Sequence, residues 1–271
     1  MSPSPFVEAL RTYIDTPSLA LWRAFEAKAL EAVSFSPPVL DLACGTGHFA
    51  RILMENGVIT GCDVDKNAIR VAAKEKTLDT VTVADARALP YPDQSFSSVL
   101  SNCSLEHIPD VELAIAEVSR VLRPKGIFAF TAPSEQFNNL LFFPRFYNFL
   151  GLCNRDRGHI EWYNSLQGHY HIDPLPVWAK RLNEVGFKLI LYKYYMPYWP
   201  SLVFSVLDVT AKWSIRIPRR NPVFVQRILV HLIPNRLLFR IFYYSVVRHS
   251  RLLSPLAVGA GLLVVARKEA D

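Results

Sequence analysis

The chain has 271 residues, is 51% hydrophobic, 20% charged and 12% aromatic, and carries a formal net charge of +6. That length buries a core without metal or disulfide staples, and that apolar content excludes a disordered chain. Four scattered cysteines, Cys44, Cys62, Cys103 and Cys153, lack CxxC or CxxxC spacing, which argues against a structural zinc site or a disulfide framework and fits reduced thiols in the cytoplasm.

Met1–Leu10 holds Glu8 and two prolines with no apolar run, so no signal peptide is expected. Phe6–Val33 reads as one or two amphipathic helices, with Leu10, Tyr13, Ile14, Leu21, Trp22, Phe25 and Leu30 as apolar positions. Residues 1–36 therefore form an N-terminal helical segment. A strand–helix rhythm follows. Val39–Ala43 is a short apolar strand that ends in a glycine turn, and His48–Asn56 is the next helix. Val58–Asp63 is a second strand, Lys66–Lys76 a second helix and Thr80–Ala84 a third strand. Phe96–Asn102 is a fourth strand, Val111–Leu122 a helix, Pro124–Gly126 a turn and Ile127–Ala132 a fifth strand. This alternation predicts a parallel sheet with helices on both faces.

The rhythm breaks after Ser134. Glu135–Pro174 reads as irregular, aromatic and rich in His and Asn. A helix over Leu175–Val185, a strand over Phe187–Met196 and a last strand over Gly261–Lys268 restore the pattern. If those two strands pair, Tyr198–Ala260 is an insertion within a hairpin. Charge divides along the same line. The first 134 residues hold 12 bases and 16 acids, a net of −4, and the remainder holds 18 bases and 8 acids, a net of +10. Nine bases and one acid, Asp208, fall within Pro200–Ala260, among many aromatic and aliphatic residues. No stretch reaches the roughly 18 uncharged apolar residues of a spanning helix.

The strongest motif is Val39-Leu-Asp41-Leu-Ala43-Cys44-Gly45-Thr46-Gly47-His48. A strand delivers a glycine turn into a helix, and glycine lets backbone approach a ligand closely. Such a turn also suits dinucleotides. Asp41, four residues before Gly45, can orient the turn and face a cationic ligand, and Asp63 closes the second strand where a carboxylate can accept both hydroxyls of a ribose.

With these residues the chain resembles the class I S-adenosylmethionine-dependent methyltransferases, most closely the small-molecule type that includes quinone-biosynthesis enzymes. Asp41 to Gly47 resembles their first motif, with Ala43 in place of the commoner glycine. Gly61-Cys62-Asp63-Val64 resembles the second, Ala84-Asp85-Ala86 with Leu89-Pro-Tyr-Pro-Asp93 the third, and Asn102 to Asp110 the loop after the fourth strand. The match runs in register over Val39–Ser134. It implies a Rossmann-like, seven-stranded, mostly parallel sheet of order 3-2-1-4-5-7-6 with the last strand antiparallel, a single methyltransferase domain over 1–271, and S-adenosylmethionine as cofactor. Asp41, Ala43, Cys44, Gly45, Thr46, Gly47, Asp63, Val64, Asp85, Ala86, Asn102 and Leu105 should line the cofactor, with Asp85 on the adenine amino group.

His107 follows the fourth strand, at the carboxyl edge of the sheet where ligands bind, and is the leading general base. His169 and His171 join it as catalytic candidates. Residues 135–175 are expected to form a lid on the acceptor side, with His159, Glu161, Tyr163, His169, Tyr170 and His171 binding the acceptor. His169, His171 and Asp173 alternate along an extended stretch, yet nothing else fixes a metal geometry, so no metal centre is expected.

The apolar-basic insertion, 198–260, suits a helix lying on an anionic membrane surface, and equally a packed helical cap. It is too apolar, with bases too spread, for nucleic acid. The expected function is methyl transfer to a small, hydrophobic or lipid-linked acceptor by a cytoplasmic protein, peripheral on a membrane's inner face if the insertion docks. Two alternatives stay open: a catalytically silent, membrane-docked cofactor-binding protein, and a methyltransferase acting on RNA or protein. Oligomeric state is not legible.

Overall fold

The computed structural model describes residues 3–54, 57–213, 234–250 and 258–270. Arg216, Arg219, Arg220, Arg227 and Arg251 of the apolar-basic insertion lie outside the described residues. The order of elements is α1 (Pro5–Thr12), α2 (Pro17–Leu30), β1 (Val39–Leu42), α3 (His48–Leu53), β2 (Ile59–Asp63), α4 (Lys66–Glu75), β3 (Thr80–Val83), β4 (Phe96–Asn102), α5 (Val111–Val121) and β5 (Leu122–Pro133). Then come α6 (Phe137–Leu140), α7 (Phe142–Phe149), α8 (Cys153–Gln167), α9 (Leu175–Glu184), β6 (Phe187–Tyr195), α10 (Tyr198–Trp213), α11 (Asn235–Ser250) and β7 (Gly261–Lys268). No helix among the described residues is long and apolar enough to cross a membrane.

Seven strands form one sheet in the order 3-2-1-4-5-7-6. β1 lies parallel between β2 and β4, with Asp41 level with Gly61 on one side and Leu100 on the other. All four β1 residues are buried, as expected for a central parallel strand covered on both faces. β7 runs antiparallel to β6: Ala260 N–H donates to Met196 and Glu269 N–H to Gly186 at the two ends of the ladder. The last two strands therefore pair, and α10 and α11 belong to the connection between them. The order of strands reverses at β1, where β2 lies on one side and β4 on the other, which opens a crevice at their carboxyl ends.

The chain divides into two compact units. One contains residues 31–134, 169–193 and 262–271 and holds the sheet. Its core includes Leu40, Leu42, Val99, Leu100, Phe128, Phe130, Trp178 and Val264. The other contains residues 1–30, 135–168 and 194–261, and its described residues are largely helical. There Trp22 meets Phe137 edge-on, and Tyr195 donates its hydroxyl to the buried Glu26 carboxylate at 2.9 Å.

Two elements differ from their predicted form. The segment after Ser134 is mostly helical: α6, α7 and α8 occupy residues read as irregular, and α8 ends at Gly168 in the left-handed conformation. On α7 the apolar residues Phe142, Phe146 and Phe149 mark an exposed face, where a buried one would be expected. The turn over Pro124–Gly126 sits inside β5 as an irregularity. Pairing with β4 shifts between Phe96–Leu122 and Ser98–Ile127, and Lys125 takes φ +65°.

Candidate functional site

The glycine turn after β1 is built from left-handed residues. Ala43, Gly45 and Gly47 have φ of +57°, +55° and +76°. Ala43, where the resembling family has glycine, thus carries a conformation that costs an ordinary residue about 1–2 kcal/mol. Gly47 is fixed by two demands. Its φ is positive, and a Cβ there would lie 2.6 Å from Leu78 Cγ and 2.7 Å from Thr77 Oγ1. The same Thr77 hydroxyl donates to the carbonyl of Thr46 at 2.6 Å, which ties the turn to the chain after α4.

The second strand closes the turn. Asp63 Oδ2 accepts the N–H of Gly45 at 2.8 Å, and its Oδ1 accepts that of Asp65 at 2.8 Å. Each carboxylate oxygen has two lone pairs, so capacity remains for hydroxyls. Asp41 lies buried in β1 beneath the turn. Cys44 and Cys62 sit beside these acids. Burial first, and the Asp41 and Asp63 charges after it, push the Cys44 thiol far up, and burial raises Cys62 to about 12. Both are protonated, inert thiols at neutral pH.

A cleft of about 170 Å³ opens at the strand ends. It is lined by Ala43, Asp63, Val64, Asp85, Ala86 and His107 among the predicted residues, together with Cys62, Ala84, Arg87, Ile108 and Pro109. Val64 is 72% exposed, an apolar side chain presented beside the carboxylate. Gly45 and Thr46 belong to the adjoining turn. The Thr46 hydroxyl lies 2.9 Å from His48 Nδ1. Asn102 and Leu105 are buried and do not line the cleft. Asn102 Oδ1 accepts from Thr131 Oγ1 at 3.3 Å, and Ser104 Oγ donates to the carbonyl of Ala43 at 3.3 Å.

Arg87, absent from the predicted set, reshapes the Asp85 side. Its Nη2 donates to Asp85 Oδ2 and its Nη1 to Asp110 Oδ2, both at 2.8 Å. That guanidinium and the Arg87 backbone N–H hold Asp85 below the usual carboxylate range. Arg87 thus bridges the loops after β3 and β4. Its place two residues after Asp85 was the available signal, since an arginine so close to a strand-end acid pairs with it readily.

The loop after β4 carries a second cluster. Leu105–His107 is a short 3₁₀ turn. Glu106 is 1% exposed, and its carbonyl accepts the backbone N–H groups of Tyr170 (2.7 Å) and His171 (3.2 Å). This pins residues 170 and 171 against the 3₁₀ turn. His107, with 42% of its side chain exposed, has Nε2 at 3.9 Å from Glu106 Oε1 and its ring centroid 5.2 Å from that of His169. His171 faces another way. Its Nε2 donates to the carbonyls of Ile108 (3.0 Å) and Pro109 (3.1 Å), and its Nδ1 lies 3.3 Å from Asp173 Oδ2. Arg181 joins Asp173 to Glu112. Tyr170 is exposed.

The other three acceptor candidates lie in the helical unit. Tyr163 is fully buried there, donates to Asp208 Oδ2 at 2.6 Å and accepts from Gln167 Nε2 at 3.0 Å; burial and the Asp208 charge raise its phenol well above the ordinary value. His159 packs among Phe143, Tyr147, Trp162 and Tyr163. Glu161 is exposed. The structure thus brings His107 and His169 together within one unit.

Residues 40–130 match a family model described as a methyltransferase domain. A ubiquinone/menaquinone biosynthesis C-methyltransferase of Saccharophagus degradans is 33% identical over 129 residues, 42% of this chain and 51% of that relative. One from Shewanella pealeana is 28% identical over 199 residues, 66% of this chain and 78% of the relative. A demethylmenaquinone methyltransferase of Listeria welshimeri is 32% identical over 135 residues, 46% of this chain and 57% of the relative. The chain thus spans about half the length of the first and last of these. Among solved structures, the [4+2]-cyclase SpnF is 19% identical with a TM-score of 0.57, over 90% of this chain and 82% of that one. An S-adenosylmethionine-dependent methyltransferase from Mesorhizobium loti is 18% identical with a TM-score of 0.54, over 90% of this chain and 97% of that one. At these identities the structural likeness shows the fold, and the cyclase shows that this fold hosts more than one reaction.

Proposed function

We propose that this chain, whose residues 40–130 match a methyltransferase-domain model, transfers a methyl group from S-adenosylmethionine to a small, apolar acceptor of quinol type at an anionic membrane surface. The observation that carries the methyl-transfer reading is the cleft in which Asp63 grips the Gly45 turn while Val64 lies bare beside it. A carboxylate with lone pairs to spare suits a ribose, and an exposed valine suits the face of an adenine. When bound, the cofactor supplies an electrophilic methyl group on a sulfonium. The chain's part is to bind, aim and exclude water. Asp63 would hold the ribose hydroxyls. Asp85 would sit at the adenine edge, its carboxylate fixed there by the Arg87 side chain and backbone N–H. Asp41, Ala43, Cys44, Thr46, Gly47, Ala86, Asn102 and Leu105 complete the cofactor side. His107, at the cleft and half-exposed, would accept the acceptor's proton, with His169, Tyr170 and His171 on the acceptor side.

The acceptor class draws support from the printed names of the relatives, which concern ubiquinone and menaquinone. The surface draws support from the helical unit. Three of its helices expose apolar residues at the same i, i+4, i+7 spacing: Phe142, Phe146 and Phe149 on α7, Trp199, Val203 and Val206 on α10, and Leu237, Ile241 and Tyr244 on α11. Phe149 is 86% exposed. Arg145, Arg236 and Arg240 lie exposed along α7 and α11, and α11 has no acid. Apolar stripes with arginines suit an interface rich in anionic headgroups.

The test uses S-adenosylmethionine labelled on its methyl group, incubated with the protein and anionic vesicles bearing a demethylated quinol. Label is expected in the organic extract, and the protein is expected to pellet with the vesicles at low salt. Label that stays in aqueous macromolecules, or none transferred, overturns the acceptor assignment.

A further inference from the structure

We infer that Glu106, His107 and His169 form a binding site for a divalent transition metal of the Zn²⁺ type, at the edge of the cleft. One ligand atom from each, a carboxylate oxygen and two imidazole nitrogens, lies within 4.8 Å of the other two. A metal held at about 2.0–2.2 Å from each ligand needs separations of about 3–4 Å. The required closure is under roughly 1.5 Å, and the Glu106–His107 pair already stands at 3.9 Å.

The three side chains come from two segments held in register by backbone. Glu106 and His107 share the 3₁₀ turn, and the Glu106 carbonyl anchors the N–H groups of Tyr170 and His171 beside it. Placement of His169 against that turn therefore does not depend on the metal. Glu106 is buried, and a buried carboxylate is stabilised by a cation coordinated to it. His107 is exposed enough to swing inward.

The donor set selects the metal. Two imidazoles and one carboxylate are borderline ligands that favour Zn²⁺, Co²⁺ or Fe²⁺ over Mg²⁺ or Ca²⁺, which prefer oxygen alone. Three protein ligands leave coordination positions for water or an oxygen-bearing ligand, the pattern of a reactive rather than a closed site. This ligand set differs from the one that alternation along 169–173 suggests. His171 and Asp173 are engaged instead with the Ile108 and Pro109 carbonyls and with Arg181. A nitrogen that coordinates metal cannot at the same moment take up a proton, so the His107 ring would serve as ligand or as base, one at a time.

The experiment reads metal binding directly and needs neither cofactor nor acceptor. Full-length protein stripped with chelator is titrated with Zn²⁺ by calorimetry and with Co²⁺ by visible absorption. One equivalent is expected to bind with a dissociation constant below about 10 μM, and Mg²⁺ is expected not to compete. His107→Ala and His169→Ala should each weaken Zn²⁺ binding at least about tenfold while thermal unfolding stays cooperative. His48→Ala removes a separate exposed histidine–carboxylate pair, to Glu75 at 3.0 Å, and should leave binding unchanged. No binding, binding unchanged in both cluster variants, or binding lost in His48→Ala would overturn the inference. In each of those cases the methyl-transfer reading would still stand.

Discussion

In the sheet unit Asp63 sits at a strand end and keeps hydrogen-bonding capacity toward a cleft, whereas in the helical unit Glu26 and Asp208 are closed by tyrosine hydroxyls. Asp63 receives two backbone N–H groups and still has lone pairs for a ligand. Glu26 is buried between Arg23 at 2.7 Å and the Tyr195 hydroxyl, and Asp208 accepts from Tyr163 and Gln167. The same residue type is thus poised for binding in one unit and used for packing in the other. The difference follows from what surrounds it. A strand end beside a glycine turn leaves backbone donors and open space, while a helical core offers only side chains that must satisfy one another.

Three substitutions sharpen this contrast. Glu26→Ala should have the largest effect, since it strands a guanidinium and a buried phenol. A loss of about 3–5 kcal/mol of unfolding free energy is expected, measured by urea denaturation, with the affinity of the folded protein for S-adenosylhomocysteine retained. Asp63→Ala should do the reverse. Removing charge-assisted hydrogen bonds should weaken S-adenosylhomocysteine binding by about 1.5–3 kcal/mol, read by calorimetry, with only a modest change in thermal midpoint. An unchanged affinity would remove Asp63 from the cofactor site. Ala43→Gly should have the smallest effect and the opposite sign. Relief of a left-handed alanine should stabilise the protein by up to about 1 kcal/mol, seen as a higher urea midpoint. A lower midpoint would mean that the Ala43 methyl group packs usefully where it lines the cleft.

The sheet unit was largely legible because its signals are local. A run of apolar residues, two glycines and an acid specify a strand, a left-handed turn and a helix within about ten residues, and the φ of Gly47 is a property of that short stretch. Ala43 announced its strain as a departure from the glycine expected there. Arg87 was harder to see, for its second partner, Asp110, lies 23 positions away.

Short patterns in the residues carried the βα alternation, the glycine turn and the strand-end acids, while the strand order and the cofactor chemistry were what the family resemblance of those motifs implied. Only the tertiary structure decided that Tyr163 is a buried phenol, that His169 faces His107 while His171 turns to the Ile108 and Pro109 carbonyls, and that residues 137–167 coil into helices. Those outcomes rest on contacts between distant segments: Tyr195 meets Glu26 across 169 positions, and residues 170 and 171 dock on Glu106. Such partners compete on equal terms until the chain has packed, and no short stretch of sequence selects among them.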